Sequence, residues 1–140
     1  ATAASVVPGM YVPSHPEGEI RMAVSDRAAP RLAGIFGVKF PVREDKMDEW
    51  LALADSYSKA VNAEEGCVSF SFSRSLDDPN LFVCVELFRD AAAGGAHVKT
   101  EHAVNFFSAA PDLVSAQPEI LYIDSPEVKG FGPMGEIQPR

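Results

Sequence analysis

The middle of the chain reads CVSFSFSR (67–74), SLDDPN (75–80) and LFVCVELF (81–88), three segments of different character in direct succession. The first alternates: Val68, Phe70 and Phe72 fall on one side, and Ser69, Ser71 and Ser73 on the other. That is the period of a strand with one buried face. The second segment is a turn by composition. The third is almost wholly apolar, as in a strand covered on both faces. Together they predict an antiparallel hairpin. A turn centred between Asp78 and Pro79 would set Phe70 opposite Leu87 and Phe72 opposite Val85. One face would then carry Val68, Phe70, Phe72, Val83, Val85 and Leu87 and call for helices on it. The other would carry Ser69, Ser71, Ser73, Phe82, Cys84, Glu86 and Phe88, a mixed surface suited to a cavity or a subunit interface. A slip of one residue would exchange the two assignments. In this register Cys67 and Cys84 occupy non-facing rows, which argues against a disulfide.

Upstream of the hairpin, residues 45–63 form the clearest helix. Met47, Trp50, Leu51, Ala54, Tyr57 and Val61 recur at three- and four-residue steps and make one apolar stripe. Acids cluster at its start, where the helix dipole favours them, and Gly66 follows its end. Residues 32–40, LAGIFGVKF, are a β-favouring run before it. Downstream, residues 90–108 read as a single helix with Asp90 as N-cap, and Val98, His102 and Phe106 lie on one face. Residues 119–124, EILYID, are a last strand. Prolines and glycines punctuate residues 1–30 and 126–140, so these read as N- and C-terminal arms around a domain at 31–125. The element order β–α–β–β–α–β predicts a ferredoxin-like α+β fold with an antiparallel sheet. Two helices can cover only one face of that sheet. A second copy is the simplest cover for the other, so a homodimer of the dimeric α+β barrel type is expected.

Composition narrows the partners. A chain of 140 residues suits one domain. The net charge of -8 argues against nucleic acid, whose binders need Lys and Arg to displace counterions, and against an anionic membrane surface. No window approaches the length of a membrane span. Ala1–Val7 lacks a basic region and a proper apolar run, so it is not an intact signal peptide. The expectation is a cytoplasmic protein.

Three segments resemble the antibiotic-biosynthesis monooxygenase family: VREDKMDEWLALADSY (42–57), GCVSFSFSRSLDDPNLFVCVELFRD (66–90) and AHVKTEHAVNFF (96–107). The last carries Ala96, His97, Thr100, His102 and Phe106 in an A-H-x-x-T-x-H-x-x-x-F pattern. The resemblance spans about residues 33–124 and neither arm. It implies a dimeric α+β barrel, often a monooxygenase that needs no cofactor and acts on quinols or polycyclic phenols. Some relatives degrade haem with an Asn on the first strand and a Trp and a His near the second helix. Residues 32–40 hold no Asn, and Trp50, the one Trp, is on the first helix, so haem degradation is not expected. The alternatives are an isomerase or other proton-transfer enzyme on a small carbonyl compound, and a non-catalytic dimer that binds a small molecule.

Three residues are candidates for chemistry. His97 titrates near neutrality and suits a base or donor toward a substrate oxygen. His102 shares an apolar face, which favours packing over chemistry. Glu86 sits in an apolar strand, where a carboxylate is costly unless paired; it is a base with a raised pKa or a structural ion-pair partner. Trp50, Tyr57, Phe70, Phe72 and Tyr122 could line a pocket for a small aromatic molecule, or simply form the core. On one continuous helix His97 and His102 would stand roughly 140° apart and could not share a metal, so neither a metal nor another cofactor is expected.

Overall fold

The computed structural model describes residues 34–123, 125 and 127–140. The arm assigned to residues 1–30 and the first residues of the first predicted strand lie outside these. Four strands form one antiparallel sheet: β1 (Ile35–Pro41), β2 (Cys67–Arg74), β3 (Leu81–Phe88) and β4 (Glu119–Ile123), in the order β2-β3-β1-β4. Three helices, α1 (Met47–Asn62), α2 (Ala91–His97) and α3 (Glu101–Ala109), complete a ferredoxin-like α+β fold. Residues 127–140 add no helix or strand and are exposed throughout.

The core lies between the sheet and the helices. α1 contributes Trp50, Ala54, Tyr57 and Val61, the predicted stripe, all buried. The sheet answers with Phe36, Val38, Phe40, Phe70, Phe82, Cys84 and Phe88, and α3 with Ala103 and Phe106. Tyr57 and Phe106 stack in parallel with centroids 4.1 Å apart, while Trp50 meets Phe72 and Phe82 edge-on. Each fully buried aromatic ring contributes roughly 1.5–3 kcal/mol by leaving water. Packing at this density fixes the rings and, with them, the polar groups among them.

Both hairpin strands have the predicted limits, but the register differs by one residue. Phe70 pairs with Glu86 and Phe72 with Cys84, so the turn is centred on Asp78. The register shifts between Cys67 and Ser69, which leaves Val68 as the extra residue of a bulge. The faces are therefore exchanged between the two strands. Phe82, Cys84, Glu86 and Phe88 lie with Phe70 and Phe72 beneath the helices. Ser69, Ser71 and Ser73 share the uncovered face with Val83, Val85 and Leu87. Glu86, expected at a cavity or subunit interface, is instead inside the subunit. Both cysteines are free thiols.

The predicted helix at 90–108 is two helices. Asp90 caps α2 as expected, accepting from the Ala93 N–H at 2.8 Å. Thr100 then adopts an extended backbone (ψ 154°) and caps α3. Its hydroxyl donates to the His97 carbonyl at 2.7 Å and accepts from the Ala103 N–H at 3.3 Å. One side chain closes one helix and opens the next.

Candidate functional site

The break between α2 and α3 redirects the two histidines. His97, the last residue of α2, turns into the core, and His102 sits in the first turn of α3. The two rings come within 6.3 Å, centroid to centroid. The predicted separation of roughly 140° assumed one helical axis; with two axes it does not apply, and the geometric ground for excluding a shared metal goes with it.

What brings the histidines together is Glu64, which sequence reasoning did not single out. It lies in the turn after α1. Asn62 anchors that turn: its side chain donates to the Phe70 carbonyl at 3.0 Å and accepts from the Phe70 N–H at 3.2 Å. Gly66 lets the turn press against α2, since a Cβ there would lie 2.5 Å from the Ala93 Cβ. Glu64 Oε1 accepts from His97 Nδ1 at 2.8 Å and also from His102 Nε2. A signal was available in the sequence: Glu64 and Glu65 follow the C-terminal end of a helix, where the dipole disfavours acids. An acid held there has another reason to be present.

On its other side the His97 ring meets Tyr57, with Oη 3.0 Å from Nε2. These two bonds define the tautomer. The carboxylate can only accept, so Nδ1 carries the proton, and Nε2 offers its lone pair to the Tyr57 O–H. The result is a chain of proton carriers, Tyr57–His97–Glu64–His102, running from the core outward. His97 is 3% exposed, Glu64 14% and His102 29%, so the outer end touches water. Phe88 lies against the His97 ring at 4.8 Å.

Glu86 Oε2 lies 3.9 Å from His97 Nε2, and Glu86 Oε1 accepts from the Cys84 thiol at 3.3 Å. Burial pushes the Glu86 carboxyl up to about 7, although the thiol hydrogen bond opposes the shift. Burial also pulls the His97 imidazole below its ordinary 6.5, against the bond to Glu64. Burial and the nearby Glu86 charge push the Tyr57 phenol well above 10. At neutral pH the ring of His97 is thus neutral and Tyr57 keeps its proton. Glu86 is divided between its two forms. Paired groups whose environments move their pKa values in this way are the pattern of an acid–base site.

The five aromatic residues expected to line a pocket divide into separate groups. Phe70 and Phe72 line a groove of about 460 Å³ between α1 and β2, with Leu51, Ser58 and Arg74 among its other walls. Tyr57 is one ring deeper, edge-on to Phe70 at 5.4 Å. Trp50 is wholly buried, and its indole N–H has no hydrogen-bond partner among the described residues; it is core. Tyr122, on β4 at the far edge of the sheet, packs on Phe36 instead. No helix among the described residues is long and apolar enough to cross a membrane.

Comparison with known proteins agrees with this architecture. Residues 35–109 match the family described as antibiotic biosynthesis monooxygenase. An uncharacterised protein of Synechocystis is 33% identical over 79 residues, 56% of this chain and 54% of that protein, so the chain matches about half of its length. The Bacillus subtilis protein "Putative monooxygenase YcnE" is 30% identical over 80 residues, covering 57% of this chain and 84% of that one. Among solved structures, Rv0793 from Mycobacterium tuberculosis superposes with a TM-score of 0.62 at 23% identity, over 65% of this chain and 92% of that one. At that identity the likeness is one of fold.

Proposed function

The chain belongs to the antibiotic biosynthesis monooxygenase family, and on that premise we propose that it is a cofactor-independent monooxygenase oxidising a quinol or polycyclic phenol. The observation that carries the reading is the buried imidazole of His97, held by Glu64 in the tautomer whose Nε2 receives a phenolic proton. Tyr57 supplies that phenol in this structure, at 3.0 Å. A substrate ring in the groove against Phe70 and Phe72 lies one ring from Tyr57, whose hydroxyl hands a phenolic proton on to His97. His97 takes that proton, with Glu64 stabilising the imidazolium. Glu64, which is 14% exposed, gives that proton its outlet to water, and His102, donating to the same oxygen, holds the carboxylate in place.

The substrate is its own reductant. Its anion gives one electron to dioxygen, the radical pair closes to a C–O bond, and loss of water leaves a hydroxylated quinone. Four electrons pass from substrate to dioxygen; one oxygen atom ends in the product and the other in water. The protein's part is to ionise the phenol, exclude bulk water and hold the developing charge. Glu86 gives a second polar group beside the ring.

The test is oxygen uptake by chelator-treated protein with a panel of hydroquinones. Uptake of one dioxygen per substrate is expected, with a loss of at least ~100-fold in His97→Ala, at the lower end of general-base effects. No uptake with any member of the panel refutes the reading. Because burial holds His97 below 6.5, the midpoint of the acid-side fall in rate should lie below pH 6.5. The carboxyl of Glu86 beside the imidazole favours one second reading, proton transfer on a small carbonyl compound; turnover that persists without oxygen would select it. Ligand binding with no turnover would leave a non-catalytic binding dimer.

The working unit in this proposal is a homodimer joined through the uncovered sheet face. Val83 and Val85, both half-buried, lie on it, and Leu121 (64% exposed) and Ile123 (42%) extend it along β4. Ser69, Ser71, Ser73 and Lys39 keep this face mixed, with Val83 and Val85 where Phe82, Cys84 and Glu86 were expected. Sedimentation should give a dimer at micromolar concentration, and Leu121→Lys a monomer; a wild-type monomer would refute this part.

A further inference from the structure

We propose that Glu64, His97 and His102 form a binding site for one divalent transition-metal ion. The inference goes beyond the monooxygenase reading and stands on three side chains alone. One oxygen of Glu64 and one nitrogen of each histidine lie within 4.8 Å of one another. His97 Nδ1 is 2.8 Å from Glu64 Oε1, and His102 Nε2 is bonded to that same oxygen. A metal bound at about 2.0–2.2 Å from nitrogen or oxygen holds neighbouring donors roughly 3.0–3.4 Å apart. An ion replacing the two shared protons therefore needs only modest movement of the rings.

Several features suit a metal better than a purely structural cluster. Two imidazoles and one carboxylate favour zinc, iron(II), cobalt(II) or nickel(II) over magnesium or calcium, which prefer oxygen donors. The same set is the two-His-one-carboxylate face of non-haem iron sites. The half-exposed side of His102 gives an ion a path from solvent. Behind the site, Tyr57 Oη at 3.0 Å and Glu86 Oε2 at 3.9 Å surround His97 Nε2. Metal at Nδ1 moves the ring proton to Nε2, where these oxygens accept it; an acceptor behind a ligating histidine is the usual supporting arrangement. The helix break at Thr100 matters here as well, because one continuous helix would hold the two rings apart.

Occupancy has a consequence for the same ring. With metal on Nδ1, Nε2 is a donor and no longer receives a phenolic proton. Metal-loaded and base-competent forms of His97 exclude one another, so bound metal should suppress oxygen uptake that runs through His97.

The test is titration of chelator-stripped protein with cobalt(II), followed by visible absorption, and with zinc(II) in competition. One cobalt per chain should bind at micromolar concentration, with visible bands that zinc abolishes. His102→Ala, the least buried of the three changes, should weaken binding by more than ~100-fold, beyond the ~10–100-fold that losing a mere supporting partner costs, and Glu64→Gln likewise. Glu65→Gln, at the exposed neighbour of Glu64, should bind as wild type. Circular dichroism of each variant reports whether it has folded; should Glu64→Gln unfold, His102→Ala alone decides. Binding that is undetectable in wild type, or equal in wild type and folded His102→Ala, overturns the proposal. The readout is a spectrum, so its failure is distinct from failure of oxygen uptake by metal-free protein.

Discussion

Replacing Glu86 with glutamine removes a buried acid while keeping its shape. In the folded chain burial pushes the Glu86 carboxyl from 4.5 up to about 7. By linkage the charged form then costs the fold on the order of 3 kcal/mol. A raised acid destabilises in a definite direction. Below pH 4.5 the group is protonated in both states and costs nothing. As pH rises the unfolded chain ionises first, and stability falls until the folded carboxyl also ionises near 7. Between pH 5 and pH 8 the wild type should therefore lose about 2–3 kcal/mol that the glutamine variant does not lose. Other titrations are common to both proteins and cancel in the difference. Urea unfolding of both at the two pH values measures it. The gap should widen in favour of Glu86→Gln at pH 8. If the gap is the same at both, the carboxyl titrates normally and the interior beside His97 is wet, contrary to the account of the site.

Three further outcomes follow from the same contacts. Tyr57→Phe removes the hydroxyl and leaves buried His97 Nε2 without its partner at 3.0 Å, a cost of about 1–3 kcal/mol; urea unfolding that shows less than half a kcal/mol would contradict the hydrogen bond. Thr100→Ala deletes the bond that ends α2 and the cap that starts α3, and should cost about 1 kcal/mol in a thermal melt. Gly66→Ala drives a methyl to 2.5 Å from the Ala93 Cβ, an overpacking cost of about 1–3 kcal/mol. Ala93→Gly should relieve it, so a double-mutant cycle that shows no coupling would remove the close approach from the argument.

Strand limits were legible because they depend on local pattern. The alternation of CVSFSFSR and the apolar run LFVCVELF lead directly to the observed Cys67–Arg74 and Leu81–Phe88. The apolar stripe of α1 was legible for the same reason. The register was not. It turns on where a six-residue connection pivots and on a bulge at Val68, and either moves every partner by one. The break between α2 and α3 was marked by Thr100 followed by Glu101, a cap and an acidic first turn, but the apolar spacing of Val98, His102 and Phe106 concealed it.

The class of fold, its element order and two of the three histidine-cluster residues can thus be read along the chain. How those residues meet comes from packing. Glu64 meets His97 across 33 positions of chain and His102 across 38, and Tyr57 meets His97 across 40. Periodicity within a helix or strand comes from backbone geometry repeated every few residues, so a local window contains it. A proton chain built from a helix end, a turn and two capped helices depends on how those pieces pack, and no local window holds more than one of them.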